Sequence, residues 1–262
     1  MRGTPMYVAE RHERILELLA AEGRVRVGQL AAQFDVAEET IRRDLSTLEQ
    51  AGLAHRVHGG AVPFGVGVTT ESELATRLTE HADEKRRIAA RALGLIPSGT
   101  PSVFIDAGST TLALASALAA EAPAGMRLLT NSVPVAVALG ERADLEVDVV
   151  GGTLRGLTRA LVGPETERAL GELRVDIAFI GTNGISAEHG FSTPDQLEAA
   201  TKRAIVGAAR IPVVLADATK FGQELLHRFA AISDIATIVT DAPPPAALAG
   251  ALLDAGTEVV LA

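Results

Sequence analysis

Seven short apolar runs constrain the fold of this 262-residue chain more than any other feature. They begin near residue 101, they have the residue types of β-strands, and helix-like segments separate most of them. Strands that alternate with helices predict a mostly parallel sheet covered on both faces, because each parallel connection needs a crossover. The second part of the chain is therefore expected to be an α/β domain. The runs read SVFID, RLLTN, EVDVVGG, DIAFIG, PVVLAD, IATIVT and EVVLA.

The composition supports a sizeable core built from aliphatic side chains. Hydrophobic residues make up 47% of the chain and aromatic residues only 3%. No Cys is present, which excludes disulfides, thiolate metal sites and cysteine nucleophiles. No apolar run reaches the roughly 20 residues of a membrane span, and charges interrupt the N-terminus where a signal peptide would be apolar. The sequence predicts a cytoplasmic protein without a membrane partner.

Small or polar residues follow five of the predicted strands. In open α/β sheets, ligands bind outside the carboxyl ends of the strands, so these segments predict a binding site. A single Ser or Thr that opens a helix is more often a helix cap than a ligand contact, but five such ends together favour a site. The segments read DAGST (106–110), TNS (130–132), GGTLR (151–155), GTNG (181–184) and DATK (217–220).

The residue types at these ends suit a phosphorylated and hydroxylated ligand. Ser109 and Thr110 open a predicted helix, whose free N–H groups and dipole can hold a phosphate. Basic side chains would supply the countercharge, and carboxylates would accept hydrogen bonds from hydroxyls, although any single Lys is more often solvated surface. The candidate cations are Lys85, Arg155, Lys202 and Lys220, and the candidate carboxylates are Asp106, Asp176 and Asp217.

The first sixty residues show a different pattern, three helices followed by two short strands. Apolar residues recur at helical spacing over 6–21, over 27–36 and from 37 onward, and LAHRVHGGAV (53–62) indicates a hairpin. This is the order of a helix-turn-helix with a wing, whose recognition helix enters the major groove of DNA. The net charge of −9 argues against non-specific coating of nucleic acid, but residues 1–60, with eight basic and nine acidic side chains, are nearly neutral.

The predicted third helix places its arginines opposite its buried side. Ile41, Leu45 and Leu48 share one side of the helical wheel, and Arg43 lies opposite them. Arginine can pair with O6 and N7 of guanine, and Glu can accept from N4 of cytosine, so this face suits base readout. The alternative is a solvated helix with Glu–Arg ion pairs four residues apart. The candidate DNA contacts are Glu39, Thr40, Arg42, Arg43, Ser46, Arg56 and His58.

A stretch rich in Gly and Val predicts a domain boundary. GAVPFGVGVTT (60–70) carries no charge and one Pro. We expect a DNA-binding domain over residues 1–60, a linker over 61–72 and a second domain over 73–262. The segment 71–96 has one long helical pattern with a charged face, which ends before Pro97.

The N-terminal part resembles the DeoR family of bacterial transcriptional regulators, and the resemblance implies a winged helix-turn-helix. The matching positions are Arg11, Ile15 and Leu19 in the first helix, Ala37 and 40–45 in the third, and GLAHRVHGGA (52–61) in the wing.

The second part is similar to the sensor domain of the same family, whose fold is like that of ribose-5-phosphate isomerase. The resemblance implies a phosphorylated-sugar effector at the strand ends. Phe191 and Gln196 depart from the family pattern at the outer edge of the pocket. The similar segments read EKRRIAARAL, FIDAGSTT, LTNS, GGTLR, DIAFIGTNGI, LEAATKRA and ADATKFG. The remaining candidate effector contacts are Gly108, Asn131, Gly181, Gly184 and Glu198.

Together these features predict a repressor of a sugar-utilisation operon, released from double-stranded operator DNA by a phosphorylated sugar. Helix-turn-helix proteins usually read two-fold sites, so a homo-oligomer, a dimer or a tetramer, is expected. The alternative is a sugar-phosphate isomerase or deaminase with an added DNA-binding domain, in which Asp176 and Glu198 would transfer protons. Hydrolases and dinucleotide-binding enzymes are disfavoured, because neither a G-x-S-x-G elbow nor an ordered G-x-G-x-x-G motif occurs. No cofactor or metal is expected, since the six His residues are scattered.

Overall fold

A computed structural model describes residues 8–22, 25–51, 53–57, 60–63, 73–97, 99, 102–121 and 125–262. The chain divides into two compact units, Met1–Thr70 and Glu71–Ala262. Most of the linker predicted over 61–72 lies outside the described residues, and its bounds stay a prediction.

The first unit combines three helices with a three-stranded antiparallel sheet. The central strand of this sheet, β3, pairs with both β1 and β2. It begins at Gly60 and continues to Pro63, into the segment predicted as linker. The elements are α1 (Val8–Glu22), β1 (Val25–Arg26), α2 (Val27–Phe34), α3 (Glu38–Gln50), β2 (Ala54–Val57) and β3 (Gly60–Pro63).

Buried aliphatic residues and one ion pair join the three helices. Ile15 of α1, Leu30 of α2 and Ile41 of α3 lie in one core. The guanidinium of Arg11 on α1 donates to the carboxylate of Asp44 on α3 at 2.5 and 2.9 Å, and both side chains are buried. These two positions, which carry the family resemblance, therefore fix α1 against α3 and hold the outer face of α3 in place.

The second unit is built on a seven-stranded sheet. Its strands are β4 (Ser102–Ile105), β5 (Arg127–Thr130), β6 (Glu146–Val149), β7 (Thr153–Arg155), β8 (Ala160–Val162), β9 (Val175–Gly181), β10 (Gly184–Ser186), β11 (Gly190–Thr193), β12 (Ala209–Leu215), β13 (His227–Ala230), β14 (Thr237–Thr240) and β15 (Glu258–Leu261). Its helices are α4 (Leu74–Thr79), α5 (Ala82–Leu93), α6 (Ser109–Glu121), α7 (Val133–Gly140), α8 (Pro164–Gly171), α9 (Gln196–Ala208) and α10 (Ala246–Ala255).

The seven strands of the main sheet follow the order β15-β14-β12-β9-β4-β5-β6, and neighbours pair in parallel. They are the seven apolar runs of the sequence, so the predicted α/β class is confirmed. Residues of α5, α6 and α7 pack with Val103 and Ile105 on one face. Residues of α8, α9 and α10 pack with Phe104 on the other. Burial on both faces is why the central strands, such as β4 and β9, appear as nearly continuous apolar runs.

Two predictions about the second unit are corrected. The single helix expected over 71–96 is two helices, because His81 adopts a left-handed conformation (φ 51°) that ends the helical path between α4 and α5. The shorter strands were also missed. The β7–β8 hairpin and the antiparallel sheet β10-β11-β13 have strands of only three or four residues, which carry no clear alternation.

In the part of the chain that the structure describes, no helix has the length and apolar character needed to cross a membrane.

Candidate functional site

The outer face of α3 carries exposed charges held by weak ion pairs. Arg42 donates to Glu38 at 2.7 Å and to Glu39 at 3.4 Å, and Nε of Arg43 lies 3.9 Å from Glu39. The Arg43 side chain is 82% exposed. Exposed pairs of this kind contribute about 0–1 kcal/mol to stability, so they are easily exchanged for contacts with another molecule. The ion pairs on α3 are therefore compatible with the DNA contacts predicted for the same residues.

The remaining DNA-contact candidates divide into described and undescribed residues. Thr40 and Ser46 are half-buried on α3, next to the exposed arginines. Thr47, which the sequence reasoning omitted, is exposed on the same helix and donates to the carbonyl of Arg43 at 3.1 Å. The side chain of Arg56 and the whole of His58 lie outside the described residues, so the contacts predicted for the wing stay predictions.

An open cleft lies at the carboxyl ends of the central strands β4, β9 and β12 of the second unit. This is the edge of the sheet at which parallel α/β folds bind ligands. The predicted effector contacts that line it are Lys85, Gly108, Ser109, Thr110, Gly181, Glu198, Lys202, Asp217 and Lys220. Lining residues that the prediction omitted are Arg77, Glu80, His81, Ala107, Thr158, Thr182, Asn183, Leu215 and Ala216.

One wall of the cleft is suited to an anion. Ser109 and Thr110 form the first turn of α6, where N–H groups lack partners within the helix and the dipole is positive. Lys220 lines the same cleft with its side chain 31% exposed. Nε and Nη2 of Arg77 are buried and have no hydrogen-bond partner among the described residues. These donors can surround a phosphate group.

Asp217 offers an acceptor in the same cleft. Its Oδ1 accepts from the backbone N–H of Thr219 at 3.1 Å and from the hydroxyl of Thr219. Its Oδ2 is buried without a hydrogen-bond partner among the described residues, and it lies 3.9 Å from Nζ of Lys220. A buried carboxylate oxygen left in this state costs free energy. A ligand hydroxyl that donates to Oδ2 would remove this cost.

A buried ion pair lies beside the cleft, which Lys202 lines and Asp106 does not. Nζ of Lys202 on α9 donates to Oδ2 of Asp106, which also accepts from the N–H of Gly181 at 3.1 Å. Both charged side chains are buried. Burial raises the pKa of the Asp106 carboxyl, and the neighbouring Lys202 acts in the opposite direction. Because each charge has the other as its counter-ion, this pair holds the end of β4 to α9.

A second charged group ties the β7–β8 hairpin to α9. Glu198 is buried and accepts from Nη1 of Arg155 at 3.1 Å and from the hydroxyl of Thr158. Nε of Arg155 lies 3.2 Å from Asp195, which caps α9 by accepting from the N–H of Glu198. Glu198 and Thr158 line the cleft, whereas Arg155 does not line it. The structure therefore makes Arg155 a support for Glu198.

Lys85 lines the cleft, but its ammonium group donates hydrogen bonds to backbone carbonyls. Its Nζ donates to the carbonyls of Arg77 at 2.5 Å and Glu80 at 2.7 Å, at the end of α4. Burial lowers the pKa of the Lys85 ammonium. The interaction holds the carboxyl end of α4 against α5 and so positions Arg77 and His81 at the cleft.

Three further predicted effector contacts do not line the cleft. Asp176 is near the start of β9, at the end of the strands opposite the cleft, where it accepts from the hydroxyl of Ser102 at 2.5 Å. Gly184 is buried in β10, and a Cβ there would lie 2.4 Å from the carbonyl of Gln223, so it serves packing. Asn131 is buried beside a smaller cavity behind the cleft and donates to the carbonyl of Leu161 at 3.3 Å.

Some of the cleft-lining residues that the sequence prediction omitted could have been found from the sequence, and others could not. Thr182 and Asn183 lie within the GTNG segment, so their position after β9 could have included them. Arg77 and His81 precede the first strand of the sheet, so the rule about strand ends gives no indication of them.

Both units match family models. The model of the DeoR-like helix-turn-helix domain matches residues 11–64, and that of the DeoR C terminal sensor domain matches residues 80–242. The chain is 37% identical over 257 residues to the HTH-type transcriptional regulator GlpR of Haloferax volcanii, which covers 97% of this chain and 98% of that protein. It is 34% identical over 249 residues to the glycerol-3-phosphate regulon repressor of Escherichia coli, covering 95% of this chain and 97% of that protein.

A solved structure of ribose 5-phosphate isomerase A from Methanocaldococcus jannaschii is also similar, at 18% identity and a TM-score of 0.40. The likeness covers 54% of this chain and 55% of that one. It is too distant to bear on the function of the cleft. The two family models describe domains of transcriptional regulators, and the full-length relatives are named as regulators. The alternative of a sugar-phosphate isomerase or deaminase is therefore set aside. The chain belongs to the DeoR family of transcriptional regulators, with a helix-turn-helix domain followed by a DeoR-type sensor domain.

Proposed function

We propose that this protein represses a sugar-related operon and leaves its operator when a small phosphorylated sugar or polyol binds the cleft of the second unit. One observation carries the proposal. The first turn of α6, the ammonium of Lys220 and the carboxylate of Asp217 line a single cleft, and Oδ2 of Asp217 has no hydrogen-bond partner among the described residues. Anion donors beside a hydroxyl acceptor match a ligand with a phosphate at one end and hydroxyls at the other.

The relatives support the same class of ligand. One of them is named for the glycerol-3-phosphate regulon and another for a putative role at the aga operon. The first spans nearly the whole of this chain. Glycerol 3-phosphate and hexose phosphates are therefore the first effectors to test.

The first unit supplies the DNA contacts in this proposal. The outer face of α3 would enter the major groove, with Arg43 at a base edge and the wing, including Arg56 and His58, at phosphates. We propose in addition that residues 1–60 and 73–262 are separate domains joined by a linker over 61–72, and that the operator complex contains more than one copy of the chain.

A ligand screen tests the cleft. Purified full-length protein is heated with glycerol 3-phosphate, fructose 1-phosphate, fructose 6-phosphate and inorganic phosphate, each beside its dephosphorylated counterpart where one exists. A ligand present at about 100 times its Kd should add roughly 2.7 kcal/mol to the stability of the second unit. We expect a phosphorylated compound to raise Tm and its unphosphorylated counterpart to leave Tm unchanged. Equal stabilisation by the free sugar or polyol would contradict the assignment of the phosphate donors.

Release from DNA tests the function itself. A stabilising ligand should dissociate the complex between the protein and the DNA that it selects from genomic fragments. A ligand can shift this equilibrium only by its difference in affinity for the two states, and a tenfold difference corresponds to about 1.4 kcal/mol. A ligand that raises Tm but leaves the DNA complex intact at saturation would rule out induction by that ligand.

A further inference from the structure

We propose that the groove between α6 and α7 is the contact surface for a second copy of this chain, arranged about a two-fold axis. The inference concerns assembly and does not depend on what the cleft binds. It starts from the composition of α7. VPVAVALG (133–140) has no polar side chain, and a helix that is apolar on all sides is normally buried.

In this structure α7 is only half covered. Val135 and Leu139 are buried in the core, but Val133 is 38% exposed and Val137 is 63% exposed. Exposed side chains of this size on adjacent turns form a contiguous apolar surface, which in soluble proteins commonly marks a contact with another molecule.

The neighbouring helix completes a groove. Leu112, Ser116 and Ala119 lie on one face of α6 and form the wall opposite Val133 and Val137. Ser116 and Ala119 are small, so the backbone of a docked helix can approach closely. The groove therefore offers the small and apolar side chains that a helix such as α7 of another copy can pack against.

The charges at the rim favour a second copy over another partner. The side chains of Glu141 and Arg159 line the groove, both residues are exposed, and neither forms an ion pair within the described residues. Glu141 follows the last residue of α7, while the carbonyl of Arg159 accepts from the N–H of Val133 at the first. A positive charge thus lies at the N-terminal end and a negative charge at the C-terminal end of a helix that is about 12 Å long.

This placement is self-complementary. A two-fold axis perpendicular to α7 brings two copies of the helix together in antiparallel orientation, so residue i meets residue j and j meets i. Glu141 then meets Arg159 of the other copy at both ends of the contact. Within one chain the arrangement is unfavourable, because the N-terminus of α7 would prefer an anion and its C-terminus a cation. Pairing between two copies removes that disadvantage.

Charge reversal tests the arrangement. In sedimentation velocity at micromolar concentration, we expect the wild-type full chain to be oligomeric. Glu141→Arg places two cations together at each end of the contact, and Arg159→Glu places two anions together. Each single variant should have half the wild-type mass. The double variant Glu141→Arg/Arg159→Glu should regain the full mass.

Mixing the two single variants is the most discriminating part of the experiment. In a mixed pair, Arg at position 141 of one copy meets Glu at position 159 of the other, and the unchanged Arg159 meets the unchanged Glu141. An equimolar mixture should therefore regain the wild-type mass, although neither variant does so alone. This rescue also shows that both variants are folded, and it cannot arise from a pairing within one chain.

The control reverses the exposed pair Arg168–Glu172 on α8, whose side chains are 74% and 75% exposed. Arg168→Glu and Glu172→Arg should keep the wild-type mass. A wild-type protein that is monomeric at all concentrations overturns the proposal. So do single variants that keep the full mass, or a mixture that stays dissociated, because the groove would then have a different occupant.

Discussion

The outer face of α3 and the Lys202–Asp106 pair beside the cleft both join acids to bases, but they differ in burial. The Arg42–Glu38 side chains are 49% and 53% exposed, whereas the Lys202–Asp106 side chains are 6% and 1% exposed. An exposed pair contributes little and separates easily. A buried pair cannot separate without leaving an uncompensated charge, so it acts as part of the framework.

This difference shows which charges can bind a partner. On α3 the pairs are weak enough for DNA to replace them. At the cleft, Asp106 and Lys202 are paired with each other and Glu198 accepts from Arg155 and Thr158, so we expect binding to depend most on groups with unused capacity. Those groups are the first turn of α6, the Lys220 ammonium, Nε and Nη2 of Arg77, and Oδ2 of Asp217.

The largest expected effect comes from breaking the buried pair. Asp106→Ala leaves the Lys202 ammonium buried without its counter-ion, and we expect a loss of about 3–5 kcal/mol in the free energy of unfolding of the second unit. Urea denaturation measures it. Arg168→Ala, which removes one side of an exposed pair, is the control and should change stability by less than about 0.5 kcal/mol. Similar small losses in both variants would remove the distinction between the two kinds of pair.

Lys220→Ala should have the next largest effect. The variant removes a charge-assisted contact to the proposed phosphate, which is worth about 1.5–3 kcal/mol, while the partly exposed side chain contributes little to folding. Calorimetric titration with the phosphorylated effector should show the loss, and Lys220→Arg should keep most of the affinity. If binding of the dephosphorylated compound falls equally, Lys220 does not contact phosphate.

Arg43→Ala tests the exposed side of the comparison. The loss of one base contact should weaken operator binding by about 1–3 kcal/mol and relax the preference for one base. Unfolding should be unchanged, because the side chain is 82% exposed. Arg14→Ala is a matched control on α1, since Arg14 forms an exposed pair with Glu17 at 2.6 Å. If a folded Arg43→Ala protein binds operator with wild-type affinity, Arg43 does not contact a base and forms only a surface ion pair.

Glu38→Ala should have the smallest effect. Removing the partner of Arg42 should cost about 0.2–0.5 kcal/mol of stability in the first unit, the usual value of such a helix pair. Operator affinity should stay equal or increase, because a negative charge near the DNA is removed. A loss of operator affinity larger than that of Arg43→Ala would mean that Glu38 fixes the recognition surface.

The sequence was most informative where burial is simple. Strands such as β9 and β12 are covered on both faces, so they appear as apolar runs and could be predicted. The break between α4 and α5 could not be predicted, because the residues at the break are Glu80 and His81 and not the Gly or Pro that usually ends a helix. The Lys85 contacts with backbone carbonyls that support this break depend on tertiary structure.

The site was predicted as a set of residues but not as a set of contacts. Topology placed Ser109, Thr110 and Asp217 at one edge of the sheet, and these residues line the cleft. Which charges pair could not be inferred, since Asp106 and Lys202 are 96 positions apart. Asp176 was misplaced because it stands near the start of its strand and not at its end.

One measurement tests the central claim that α3 binds DNA and the cleft binds a phosphorylated ligand that controls it. Fluorescence anisotropy follows labelled operator bound by full-length protein while the effector from the thermal screen is added. We predict release of the wild-type protein by the phosphorylated compound and not by its dephosphorylated counterpart. Lys220→Ala should bind operator normally and need at least tenfold more effector for release. Release of Lys220→Ala at the wild-type effector concentration, or release by the unphosphorylated compound, would contradict the account.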